Sequence, residues 1–323
     1  MPDDKIMALP QELLILGAAV KTGMVEALRK NTTCTGLAEE LALNPRAVWI
    51  VLEALADLGY VTRQGNAVTL SEETRKLIYD PAAPNYVGFS FMHRYNMIRS
   101  WVQLPEVLAS GQPASRDQDP ENTRYFMEGM RHGAEKSAPS IADFLLTDTV
   151  NGVRVLDIGG GPLIYGSAFT ARGGKVTVMD LPPVVQLMRE KAEKTGIAMF
   201  PGDFNLGLPP GPFDLAYLGN ICHIFGEIEN RELFRKVSQI LVPGGRIALV
   251  DMVRGTNPFA AVFGVNMLVN TANGGTWTLD QYTDWLTGAS FLDVKLNEVA
   301  GRQIITAVYN CPMELHDGCP ITK

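Results

Sequence analysis

Residues 153–185 read VRVLDIGGGPLIYGSAFTARGGKVTVMDLPPVV, and the architecture turns on this stretch. VRVLDI and KVTVMD are near-continuous apolar runs of strand length, joined by a glycine turn and a helical segment to Arg172. Strand, helix, strand with both strands apolar throughout is the signature of a parallel sheet covered on both faces. The same alternation continues through PPVVQLMREKAEKTG, IAMF, FDLAYL, NRELFRKVSQIL and RIALVDMV. After a helix over about Leu279–Ala289, two last runs, FLDVKLNEV and QIITAVYN, are separated only by Ala300-Gly301-Arg302 and must pair antiparallel.

The first strand ends in Asp157-Ile158-Gly159-Gly160-Gly161, and Asp180 closes the second. Glycines at a strand-to-helix turn let a ligand approach the backbone, and an acid at the end of the second strand can accept both hydroxyls of a ribose. A dinucleotide turn wants glycine at G-x-G-x-x-G to seat a pyrophosphate on a helix N-terminus, and the last of those positions here is Ile164. Asp157 inside the turn would repel a pyrophosphate and suits a ligand with a cationic amino group. The reading is a nucleoside sulfonium, S-adenosylmethionine.

Upstream, apolar residues at helical spacing from Leu13 to Leu28, a short helix over Thr35–Leu43, and a helix capped by Asn44-Pro45 and stopped by Gly59 precede a hairpin around Gln64-Gly65-Asn66. That order is a winged helix. Its second helix offers Arg46 against Glu53 and Asp57, with Trp49, Ile50, Val51, Leu52 and Leu55 filling the rest. Phosphate contacts need several cations, so the apolar face reads as an interface between subunits rather than a DNA reader. Residues 88–147 are helical and rich in aromatics and methionine, from which Trp101, Met127 and Met130 are candidates for lining a small-molecule pocket. The expected domains are a winged-helix dimerisation domain over 1–100, then a helical linker and cofactor-binding domain over 101–323.

The bulk properties agree with this reading. The 323 residues, 46% hydrophobic and 20% charged, fit about two globular domains, and the net charge of −7 opposes nucleic acid as a partner. MPDDKIMALPQELL carries acids where a signal peptide carries cations, and no apolar run approaches the roughly 18 residues of a membrane span. A cytoplasmic homodimer with no membrane contact is expected. The 4 cysteines make no disulfide framework. Cys311, His316 and Cys319 cluster in the tail, but a metal there lacks a fourth ligand, so no metal is expected.

Six motifs stand in order: VLDIGGGP, VTVMDLPPVV, PGDFN, NICHIFGEIENRELFRKV, LVPGGRIALVDMV and NGGTWTLDQYTDWLTGASF. Together they resemble the plant-type small-molecule O-methyltransferases, a family also widespread in bacteria, over nearly the whole length. The fold so implied is α/β: a class I methyltransferase doubly wound sheet with an antiparallel last strand, behind a winged-helix dimerisation domain. The resemblance implies that Gly159, Gly160 and Gly161 with Asp157 hold the methionine end of the cofactor. It places Asp180 and Leu181 at the ribose, Asp203 and Phe204 beside the adenine, and Gly219 and Asn220 at the pocket's close.

His223 falls where the family keeps its base, and Asp251 where one of the acids orienting that histidine stands. Imidazole titrates near neutrality and can take the proton a hydroxyl must lose as it attacks a methyl group. Two positions depart from the pattern: Trp277, grouped with the pocket candidates, stands where a second orienting acid is common, and Leu163 where a further glycine is common. The Trp277 departure keeps open a base with a weaker orienting network, a nucleophile already deprotonated, an acceptor atom such as carbon or nitrogen, and a relative that binds the cofactor yet catalyses a rearrangement or decarboxylation. A winged-helix regulator is the remaining alternative.

Overall fold

The computed structural model describes residues 8–115, 119–147 and 152–311. His316 and Cys319 of the tail cluster lie outside them, while Cys311 is the last described residue. The chain divides into two compact units, one of residues 1–99 with 117–132 and one of residues 100–116 with 133–323, so each is built from two stretches of sequence.

In the first unit α1 (Gln11–Lys21) and α2 (Met24–Ala27) are followed by β1 (Thr32–Thr33), α3 (Cys34–Glu40) and α4 (Pro45–Asp57). The hairpin β2 (Val61–Gln64) and β3 (Ala67–Leu70) and the helix α5 (Glu72–Tyr79) complete this run. The apolar spacing from Leu13 to Leu28 predicts one helix, and the structure breaks it at Gly23, whose φ of 79° only glycine adopts freely. Asn44 caps α4 as anticipated, its side chain accepting from the Ala47 N–H with Pro45 in the first turn. Gln64 pairs with Ala67 across the two-residue turn, and β1 adds to β3, a pairing that two threonines alone do not announce. The inner face of α4 buries Val48, Leu52 and Leu55 among Leu28, Leu37, Val68 and Ile78, while Trp49 and Ile50 on its outer face stay 52% and 44% exposed.

Four helices follow along the chain: α6 (Phe91–Trp101), α7 (Leu104–Ser110), α8 (Pro120–Glu135) and α9 (Ala138–Leu146). The second unit then alternates β4 (Arg154–Ile158), α10 (Ile164–Thr170), β5 (Lys175–Asp180), α11 (Pro182–Thr195), β6 (Ala198–Pro201) and β7 (Phe213–Gly219). It ends with α12 (Glu227–Ile240), β8 (Leu241–Val250), α13 (Pro258–Asn270), α14 (Leu279–Gly288), β9 (Phe291–Val299) and β10 (Arg302–Tyr309). The sheet order is β6-β5-β4-β7-β8-β10-β9, and β10 runs antiparallel to both of its neighbours. Helix α13 has no counterpart among the segments read from sequence, although Asn257 capping it with Pro258 following repeats the Asn44-Pro45 signal.

Period-two alternation sends the strands' side chains to two cores. Leu156, Ile158, Leu218, Ile247 and Leu249 pack with α12 and α14 residues such as Phe234, Trp285 and Leu286. Val155, Val178, Tyr217, Ala248 and Val250 pack with Ile141 and Leu145 of α9 and Phe169 of α10. By the same alternation Asp157 points into the second, apolar layer, and that placement governs its chemistry.

Candidate functional site

The turns after β4, β5, β6 and β7 gather at the carboxyl ends of the parallel strands, where open α/β sheets bind ligands. After β4 the chain bends at Gly159, whose φ is 73° and whose added Cβ would lie 2.3 Å from Ile221 Cδ1. At Gly160 a Cβ would lie 2.3 Å from the Asp157 Oδ2 atom. Gly159 is demanded by its left-handed backbone, and Gly160 by the carboxylate packed beneath it. Leu163 holds a left-handed φ of 61° at the N-terminus of α10, a conformation costing a leucine on the order of 1–3 kcal/mol that glycine would avoid. This explains why glycine suits that place and marks the turn as strained in this chain.

Asp157 is buried to 1% exposure, and its Oδ2 has no hydrogen-bond partner. Burial first, and then the charge of Asp180, push its carboxyl up to about 7. The sign of the linked stability follows: between about pH 4 and 7 the folded chain keeps this proton while the unfolded chain has lost it, so ligand-free stability falls as pH rises through that window. The shift of about three units corresponds to on the order of 4 kcal/mol. Thermal melts of the ligand-free protein across this range should decline with pH, and Asp157→Asn should flatten the decline; parallel curves for the two proteins would show that another group carries it.

Asp180 at the end of β5 accepts from the Leu181 N–H at 2.7 Å and from the Gly161 N–H, while burial raises its carboxyl above the ordinary range. The Gly202 N–H bonds the Asp180 carbonyl at 3.0 Å, which sets the next turn against it. In that turn Asp203 accepts from the Asn205 N–H at 2.8 Å, and Phe204 meets Phe225 edge-on at 5.3 Å. Leu181 itself is 51% exposed, with its backbone rather than its side chain facing Asp180.

Past β7, Gly219 and a left-handed Asn220 lead into a 3-10 turn, Cys222–Ile224, that carries His223. Three supports fix this turn. Asn230 of α12 is fully buried and its amide nitrogen lies 2.9 Å from the carbonyls of Cys222 and Gly226. The Trp277 indole N–H donates to the Cys222 carbonyl at 3.3 Å, and the Gly275 N–H to the His223 carbonyl at 3.0 Å. Gly274 packs so closely that a Cβ there would sit 2.4 Å from the same carbonyl oxygen.

The His223 ring lies 6% exposed, with Nδ1 2.5 Å from Asp251 Oδ1. Asp251 ends β8 and is saturated: its Oδ1 also accepts from the Met252 N–H at 2.7 Å, and its Oδ2 from the His223 N–H at 3.0 Å and the Tyr282 hydroxyl at 3.1 Å. Burial and the Asp251 charge hold the Tyr282 phenol well above its usual range, so it remains the donor. With its four lone-pair directions all taken by donors, one of them the ring, this carboxyl keeps the imidazole proton on Nδ1, which leaves Nε2 to accept one. Phe263 of α13 covers the ring edge-on at 5.0 Å. The Trp101 indole bonds Asn266 of the same helix at 2.9 Å, so Trp101 and His223 stand against one helix.

The structure therefore gathers His223 with Asp251 and Trp277, and Asp157 with Gly159, Gly160, Gly161, Asp180 and Leu181. Trp277 braces the backbone of the histidine turn and meets Trp285 edge-on at 5.3 Å, where an acid was to be expected at the ring. Met127 and Met130 lie half-buried on α8, within the first unit. Tyr282, Asn230 and Phe263 went unread, since nothing in the sequence ties them to residues dozens of positions away. Among the described residues no group of three or more His, Cys, Asp or Glu side chains is placed to hold a metal.

A family model described as an O-methyltransferase domain matches residues 105–292 of this chain. The chain belongs to that family. It is a methyltransferase acting on small molecules, with S-adenosylmethionine as methyl donor. The tetracenomycin polyketide synthesis 8-O-methyltransferase TcmO of Streptomyces glaucescens is 26% identical over 283 residues, covering 82% of this chain and 83% of that one. The L-tyrosine C(3)-methyltransferase of Streptomyces lavendulae is 23% identical over 303 residues, covering 85% and 82%. In fold the chain resembles PigF with S-adenosylhomocysteine, at a TM-score of 0.77 and 21% identity over 94% of this chain and 98% of that one.

The residues present fit the donor molecule. An unpartnered carboxylate oxygen lies beneath the glycine turn, and a second carboxylate with backbone amides stands one strand over.

Proposed function

We propose that this methyltransferase transfers a methyl group to a hydroxyl of a small aromatic or otherwise apolar molecule, with His223 as general base. The observation that carries the reading is the His223 Nδ1 to Asp251 Oδ1 contact at 2.5 Å, in a turn directly past the central strand β7. S-Adenosylmethionine supplies an activated methyl group when bound. Asp180 would take its ribose hydroxyls, and the glycine turn with Asp157 its amino-acid end. Leu181 would face the ribose, Asp203 and Phe204 would flank the adenine, and Gly219 and Asn220 would close the pocket. Nε2 of His223 takes the hydroxyl proton, and Asp251 stabilises the imidazolium that results. Phe263 of α13 and Trp101, bonded to Asn266 of the same helix, would keep the acceptor dry and aligned, and alignment carries much of the rate in an in-line displacement.

Incubation with S-adenosylmethionine and a panel of small phenols and enols tests the reading. Adenosylhomocysteine should form in step with a methyl ether. Methylation on carbon, or turnover without adenosylhomocysteine, would contradict it.

The order α3, α4, β2, β3 with a strand from the preceding loop supports a winged-helix reading of the first unit. The uncovered Trp49 and Ile50 on α4, beside a single cation at Arg46, support its use for pairing two copies of the chain. Sedimentation at micromolar concentration should give a dimer, and a monomer there would end this proposal. No helix among the described residues is long and apolar enough to cross a membrane. The unbridged thiols of Cys34 and Cys222 support a cytoplasmic setting.

A further inference from the structure

Tyr282 of α14 is wholly enclosed in the core layer that holds Leu233, Phe234 and Leu286, and its ring meets Trp285 edge-on at 5.6 Å. A phenylalanine would fill that place equally well, and it would bury no hydroxyl in need of a partner. The partner the hydroxyl finds is Oδ2 of Asp251 at 3.1 Å, the oxygen opposite the one that His223 Nδ1 touches. Of the four donors on this carboxylate, three come from the turn and the strand end themselves: the His223 ring, the His223 N–H and the Met252 N–H. The Tyr282 hydroxyl is the fourth, and it alone ties the carboxylate to a separate helix.

That helix is pinned where Tyr282 leaves it. Arg254, just past Asp251, donates its N–H to the Trp277 carbonyl at 2.8 Å, its Nε to the Thr276 carbonyl at 3.0 Å and its Nη2 to Gln281 Oε1 at 3.1 Å. A capping box between Thr278 and Gln281 starts α14 directly before Tyr282. The segment after Gly274-Gly275, in which Trp277 stands in place of an acid, therefore reaches the base at three points: Gly275 on the His223 carbonyl, Trp277 on the Cys222 carbonyl and Tyr282 on the carboxylate. Burial and the Asp251 charge hold the phenol protonated, so it contributes a donor and no second negative charge. A carboxylate short of this donor can turn about its Cβ–Cγ bond, and the imidazole bonded to it turns away from the proton it is to take.

We propose that Tyr282 is a positioning residue for the general base, its hydroxyl fixing the plane of the Asp251 carboxylate so that His223 stays aimed at the acceptor. This rests on the reading of His223 as that base. It gives a neutral phenol the orienting work for which the sequence pattern leads one to expect a second acid.

Tyr282→Phe keeps the ring and removes the donor, and kinetics with ring-substituted phenols, from unsubstituted to nitro-substituted, test the role. With the least acidic phenols turned over, kcat should fall about tenfold, while KM for the phenol and the calorimetric affinity for S-adenosylhomocysteine stay within about twofold. The loss should shrink to about twofold with the nitrophenols, which reach the site already ionised and need no base. In a His223→Ala background the same substitution should change kcat by no more than about twofold, since the ring through which Tyr282 acts is gone. Equal losses across the phenol series, or losses that multiply in the double variant, would show that the hydroxyl merely supports the core and would overturn the proposal. An undiminished kcat with the least acidic phenols would overturn it too. Wild-type turnover in His223→Ala alone would instead refute the base itself, and this role with it.

Discussion

His223→Ala should lower kcat by on the order of 10²- to 10⁴-fold, the range a positioned general base contributes. The affinity for S-adenosylhomocysteine should change by no more than about twofold. The separation is expected because the ring touches Asp251 and Phe263 and none of the groups assigned to the ribose or the glycine turn. The fold should tolerate the change, since Asp251 keeps the His223 N–H, the Met252 N–H and the Tyr282 hydroxyl as donors after the imidazole is gone. Steady-state kinetics beside calorimetry reads both quantities. Wild-type turnover in the variant would show that another group, or an acceptor already deprotonated, does this work.

Asp180→Ala should weaken cofactor binding by about 100-fold, as removal of a carboxylate that accepts two ribose hydroxyls costs about 3 kcal/mol. The carboxylate is held for that purpose by the Leu181 and Gly161 N–H groups, which lose an acceptor in the variant. The loss should appear equally with adenosylhomocysteine and methylthioadenosine, since both carry the ribose. Isothermal titration settles it, and an unchanged dissociation constant would remove Asp180 from the site.

Much of this arrangement was legible from local signals. Continuous apolar strands ending in glycine or aspartate, Asn-Pro at the start of α4, and a three-residue link between β9 and β10 each fix local structure through steric or hydrogen-bonding rules of short range. Asp157, Asp180 and His223 were legible for the same reason, as each is the residue at or just past the end of a recognisable strand. The long N-terminal helix was misread because spacing alone hides a left-handed glycine at position 23. Helix α13 was passed over, apolar nearly all round and without the period that marks an amphipathic helix. Tyr282 was beyond reach altogether, because its bond to Asp251 depends on which helix lies against which strand.

Trp277 shows how the two kinds of information combine. Sequence reading flagged it as the place of a missing acid and so left a weakly oriented base open. The structure gives Asp251 four donors, one from Tyr282, so the imidazole is firmly held without a second carboxylate, and the indole instead secures the turn's backbone.

The central claim is that a nucleoside sulfonium lies across the turns after β4, β5 and β7. A crystal structure of the protein grown with S-adenosylhomocysteine tests it directly. The account predicts the ribose hydroxyls on the Asp180 carboxylate, the amino-acid end at Gly159–Gly161, and the sulfur on the side of the turn that carries His223. A ligand bound away from Asp180, or glycine turns that stay empty at saturating adenosylhomocysteine, would contradict it.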